Sequence, residues 1–253
     1  MKGNDLQKSS LWKRFAAGLF DGILVVTLAV GLAFLLSWAL GYDSYSQTLD
    51  AAYERYEKEY GISFSITPEE YEAMTEAEKK KYDDVYALLA ADEEAAYAYN
   101  MMVNLTMVIV TVGILLAVLA LELVVPLIFG NGQTLGKKMF NLSLMRTDSV
   151  QMNNMQLFVR AVLGKFVLIM IPVYIVFLIF WGVMGINGTL VILCLLAAQI
   201  IIMAATKTNS LIHDLLAGTV VVDHGSQMIF RTTEDLIAYQ KRVAAEKAAL
   251  QPY

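Results

Sequence analysis

Phe15 to Leu40 constrain this chain more than any other stretch. Twenty-six consecutive residues carry one charge, Asp21. A run of that length reads as a membrane-crossing helix, which needs about 20 apolar residues, and not as a core helix. It is too long for the core of a cleaved signal peptide, and Asp21 argues against that reading as well. The basic pair Lys13 and Arg14 opens the run. An ionised carboxylate in hydrocarbon costs several kcal/mol or more unless it finds a partner or a wet cavity, so Asp21 marks a polar site inside the protein. Arg14 lies seven residues earlier, two helical turns, and the spacing predicts that it pairs with Asp21. Gly18 and Gly22 flank that face at a spacing of four. Small residues so spaced let a second backbone approach, and the face admits a homodimer.

Three further apolar runs follow, at about 101–129, 166–181 and 189–206. Hydrophobic residues make up 57% of the 253, above the roughly 45–50% of soluble domains, which matches four spans. Glu122 is the second intramembrane acid. It reads equally as part of a functional site or as an interfacial carboxylate reaching headgroup water. Residues 156–165 read as an amphipathic interfacial helix with Arg160 and Lys165 on one side.

Charge is segregated. Residues 41–100 hold fifteen of the 24 acids and five of the 19 bases, with ten of the thirteen tyrosines. The pattern there is helical. Gly61 closes one helix, while Thr67-Pro68-Glu69-Glu70 and Thr75-x-x-Glu78 carry helix-start signals. The tyrosines suit packing near a bilayer interface, and the surface leaves room for an unidentified outside partner. By contrast, the loop at 130–165 has five bases and one acid, and the 182–188 turn has none of either. Bases favour the cytoplasmic side, which puts both termini inside and residues 41–100 outside. Asymmetry of this kind is a topology signal and gives no support for nucleic-acid binding.

Several chemistries fail on spacing. Gly130 to Gly136-Lys137 is one residue too long for a phosphate loop, and Lys138 stands where Ser or Thr is needed. One cysteine and two histidines do not make a zinc site, and no cofactor is implied. His213 and Asp214 are adjacent on one element and cannot form a base–orienter pair, and no nucleophile is placed, so the expectation is a non-enzyme. Val220-Val221-Val222 is a candidate strand that could pair with Leu142–Met145.

Three pieces occur in a definite order: Arg14 with Asp21 in the first span; Gly132-Gln133-Thr134-Leu135-Gly136-Lys137 after the second; and His213-Asp214-Leu215-Leu216-Ala217-Gly218-Thr219 after the last. Together they resemble the RDD family of bacterial membrane proteins, named for one arginine and two aspartates. The resemblance covers residues 12–40 and 101–222. It implies that Arg14, Asp21 and Asp214 are the signature residues, with Gly132, Thr134, Gly136, Lys137, His213, Gly218 and Thr219 as motif positions. It also brings transport, including cation/proton exchange, as a proposed family role. The insert at 43–100 departs from the family pattern.

The expected architecture is an all-α membrane protein of the bacterial cell membrane. It is a four-transmembrane-helix bundle with a helical extracytoplasmic insert and a small cytoplasmic region containing a candidate two-strand pair. Residues 1–40 form the lead and first span, 41–100 the insert, 101–222 the remaining spans with their loop, and 223–253 a cytoplasmic helical tail. Two functional expectations stand side by side. One is transport of a cation, proton or small ligand through a site of Arg14, Asp21, Glu122 and Asp214. The other is a scaffold or accessory protein in which Arg14, Asp21 and Asp214 form a buried salt-bridge network.

Overall fold

The computed structural model describes residues 9–249. Residues 1–8 of the expected lead at 1–13, and the end of the tail from Leu250, lie outside the described residues. The protein is an all-α membrane protein, 76% helical, with one small antiparallel sheet. Among the described residues four helices are long and apolar enough to cross a membrane: α1 (Leu11–Ala39), α5 (Glu93–Phe129), α7 (Asn154–Phe180) and α8 (Gly185–Ala205). It is a multi-pass membrane protein. Helix α5 begins well before the apolar run at Met101, and α7 takes in the segment at 156–165 that reads from sequence as a separate interfacial helix. Both contain a π-helical stretch, at Leu119–Val124 and Val159–Phe166.

The chain divides into two compact units. One is Val30–Gly113; the other combines Met1–Ala29 with Ile114–Tyr253. Within the first, α2 (Tyr42–Tyr60) ends at Gly61 in the left-handed region. Helices α3 (Pro68–Ala73) and α4 (Glu76–Ala91) each start with the predicted capping box, Thr67 with Glu70 and Thr75 with Glu78. Their core is small and aromatic. Ala52, Leu89 and Ala95 are buried beneath Tyr53, Tyr56 and Phe64, and Phe64 meets the edges of Tyr53, Tyr82 and Tyr86.

The second unit carries the sheet. Strand β1 (Leu142–Arg146) pairs with β2 (Thr219–Asp223), with Leu144 opposite Val221, as the sequence suggests. Buried Leu142, Leu144 and Val221 pack on Ala17 of α1. Two short helices flank the strands: α6 (Leu135–Met139) leads into β1, and α9 (Ile212–Leu216) leads into β2. The two strands thus bring the two loop motifs beside the polar face of α1. Helix α10 (Thr233–Ala249) closes the described chain. Close packing of α7 on α8 is enforced at Gly188, where a Cβ would lie 2.6 Å from Ile179.

Candidate functional site

Helix α1 turns one face inward, Ala17, Asp21 and Val25, a residue every four. Asp21 meets the start of α6. The Thr134 hydroxyl donates to Asp21 Oδ2 at 2.5 Å, and the Gly136 backbone N–H donates to Oδ1 at 2.7 Å. Lys137 Nζ stands 3.7 Å from Oδ2 and donates to Thr134 Oγ1 at 3.0 Å. Thr134 itself caps α6, accepting from the Lys137 N–H. Asp21 therefore satisfies one free N–H of a helix start, that of Gly136, from a different part of the chain, while Thr134 takes another. Gly136 is required by proximity. A Cβ there would lie 2.4 Å from the Ala17 carbonyl oxygen and 2.9 Å from Asp21 Oδ1.

Arg14 does not make the pair with Asp21 that its spacing predicts. Its Nη2 donates to Asp214 Oδ2 at 3.1 Å and its Nη1 to the Thr208 carbonyl at 2.9 Å. The reason is directional. Seven residues advance a helix by about 10 Å, and helical side chains lean toward the N-terminus. Arg14 thus reaches away from Asp21, toward the chain that follows α8.

Asp214 is the most heavily shared group. Besides Arg14 it accepts from Arg160 Nε at 2.9 Å and from the Leu211 N–H at 3.3 Å, closing the first turn of its own helix. Burial alone would raise its pKa, yet Arg160 and Arg14 hold the carboxyl well below the usual carboxylate range. His213 lies 3.5 Å from Asp214 Oδ1. Burial pushes its imidazole down to about 3, against the pull of Asp214 and helped by Arg160 and Lys165, so it is neutral at physiological pH. Helix α9 sits directly on the π-helical part of α7, where a Cβ on Gly164 would lie 2.5 Å from His213 Cβ.

Arg160 and Lys165 also reach Glu122. Lys165 Nζ contacts Oε1, and Arg160 Nη1 stands 3.9 Å from Oε2, which is buried without a hydrogen-bond partner. Glu122 is 3% exposed and Arg160 2%, so neither reaches for headgroups from an interface. Residues five apart on an α-helix diverge by about 140° at roughly 3.6 residues per turn. The π ladder, bonding i to i+5, brings them toward one face. That local geometry lets one helix offer two cations to one carboxylate.

The remaining motif residues are positional. Gly132 makes a left-handed turn before Gln133, whose amide donates to the Leu142 carbonyl at 2.6 Å. Gly218 ends α9 in the left-handed region, and the Thr219 hydroxyl donates to the Asp214 carbonyl at 3.3 Å. Gly18 and Gly22 are exposed, and a Cβ on either would meet nothing within 4 Å. Close approach to α1 comes through Gly136 instead. Among the described residues no three His, Cys, Asp or Glu side chains converge to hold a metal ion.

The structure thus places all four predicted site acids and bases in a buried network of two contact clusters, Asp21 with Lys137, and Arg14 and Asp214 with Arg160, Glu122 and Lys165. The RDD family model matches residues 8–218. The chain belongs to the RDD family. The match takes in Arg14, Asp21 and Asp214 and also the insert that departs from the expected pattern. No curated protein and no solved structure matches the chain. In this RDD protein Arg14 and Asp214 are direct partners, while Asp21 is held by the loop after the second span.

Proposed function

We propose that this RDD protein is a non-enzymatic accessory or scaffold protein of the bacterial cell membrane, and that its buried charges latch the loop segments to the membrane helices. Both termini and the sheet are then cytoplasmic, the acidic insert faces outward toward a partner, and the exposed Gly18/Gly22 face serves a homodimer. The observation that carries the latch is Asp214. Two guanidiniums and a backbone N–H close on it while its side chain is 1% exposed, which ties α1 and α7 to the segment before β2. Removing one partner of such a pair costs about 3–5 kcal/mol, because the other charge stays buried. The test is membrane abundance and protease resistance of Arg14→Ala. Both are expected to fall sharply; an abundant, resistant variant would count against the latch.

A second reading, transport of a cation, proton or small ligand, has its own support. Glu122 Oε2 is buried without a hydrogen-bond partner, and two spans carry π-helical stretches, which recur at functional sites. Ion flux in proteoliposomes decides it. Transport predicts lost flux in Asp21→Asn; equal flux in that variant and the wild type removes the reading.

A further inference from the structure

The buried network holds more positive than negative groups. Four cations, Arg14, Lys137, Arg160 and Lys165, face three carboxylates, Asp21, Glu122 and Asp214. Net charge in a low-dielectric interior is unfavourable, so one cation is under pressure to become neutral. The two arginines cannot yield, since a guanidinium stays protonated in proteins. Lys165 contacts Glu122 directly and is partly exposed, 17% at the side chain. Lys137 is in the weakest position. Its ammonium has three protons to donate and a single near acceptor, Thr134 Oγ1 at 3.0 Å. Its nearest carboxylate, Asp21, is 3.7 Å away and already takes two shorter hydrogen bonds, from Thr134 and Gly136.

We propose that Lys137 is a reversible proton-binding site, the one member of the buried network that gives up its charge. With Lys137 neutral, three cations balance three carboxylates. With Lys137 protonated, the network carries one positive charge in excess, because Arg14, Arg160 and Lys165 already outnumber Glu122 and Asp214. The groups around it come from every packed element. Asp21 on α1 and Glu122 on α5 favour the proton, and Arg160 and Lys165 on α7 oppose it. His213 on α9 stays neutral and so contributes no charge. Lys138, the neighbour on α6, places its ammonium 3.9 Å from the centre of the Phe129 ring instead. Burial, reinforced by Lys165 and Arg160, pushes the Lys137 pKa down to about 7. The proton lost from Nζ passes to solvent and nothing else is transferred. The proposal rests on the network's geometry and not on either reading of the protein's role.

The test is a pH titration of lysine ε-13C resonances in the detergent-solubilised full chain, assigned by the signal missing in Lys137→Arg. One lysine is expected to titrate near pH 7 and to be absent from that variant. A Lys137 signal that titrates near 10, as a solvated lysine does at about 10.4, overturns the proposal. A second measurement needs no variant. The unfolded chain holds the Lys137 proton up to about 10.4 while the folded chain sheds it earlier, so wild-type stability should rise from pH 7 toward 10. A flat or falling profile there also overturns it. Neither failure touches the latch, which is read from Arg14→Ala.

Discussion

The insert and the network use the same residue types in opposite ways. In the insert, acids are dense and mostly in water. Glu70 and Glu78 cap helices, and Arg55 pairs with Asp92 at 2.6 Å although the arginine side chain is 52% exposed. In the network seven charged groups are few for the length of chain, five are buried and Arg14 and Lys165 are mostly so, and each touches another. Charge density therefore does not mark the site. What marks it is charge interrupting an apolar run, where a carboxylate must bring its partner along.

The largest expected effect that separates the two regions is Arg160→Ala. It leaves Asp214 and Glu122 short of a buried partner and should destabilise the protein by about 3–5 kcal/mol. Arg55→Ala in the insert should leave the melting temperature in detergent nearly unchanged, since exposed pairs contribute little. Similar melting of both variants would erase the contrast.

The next effect is acid sensitivity. His213 is neutral in the fold down to about 3, whereas the unfolded chain binds that proton near 6.5. Folding stability is thus fully present above about 6.5 and is lost as pH falls toward about 3. From about 3.9 downward, the ordinary value of an unfolded Asp, the depressed carboxyl of Asp214 adds to the loss. His213→Gln should flatten the fall between pH 6 and 4, read by thermal melts. The insert's depressed carboxyl at Glu78 is exposed to solvent, so substituting it should leave the profile nearly as it is. The smallest effect belongs to Thr67→Ala. It removes the capping box of α3, a loss of about 1 kcal/mol, visible as faster hydrogen exchange at the Glu70 amide and unchanged exchange in β1 and β2.

Much of this was legible in the residues because it is local. Helix caps at Thr67 and Thr75, the stop at Gly61 and the pairing of Leu142–Met145 with Val220–Val222 follow from short-range chemistry and alternation. So does Asp21 as a buried polar point, since hydrocarbon excludes a lone carboxylate. The partners were not legible. Same-face spacing suggests Arg14 for Asp21, but the backward lean of helical side chains sends Arg14 to Asp214. Arg160 and Lys165 read as interfacial because a 3.6-residue period hides a π-helical stretch. Lys137 reads only as a motif position in the basic loop after the second span; the approach of Gly136 to the Ala17 carbonyl is what turns its helix inward.

The central claim is a choice of partner: Arg14 belongs to Asp214, and Asp21 belongs to the loop at 134–137. A pair of double-mutant cycles on thermal stability measures it, Arg14→Ala with Asp214→Asn and Arg14→Ala with Asp21→Asn. Groups in contact couple by about 0.5–3 kcal/mol, and independent ones add within about 0.3–0.5 kcal/mol. The structure predicts coupling in the first cycle and additivity in the second; the reverse pattern would contradict it.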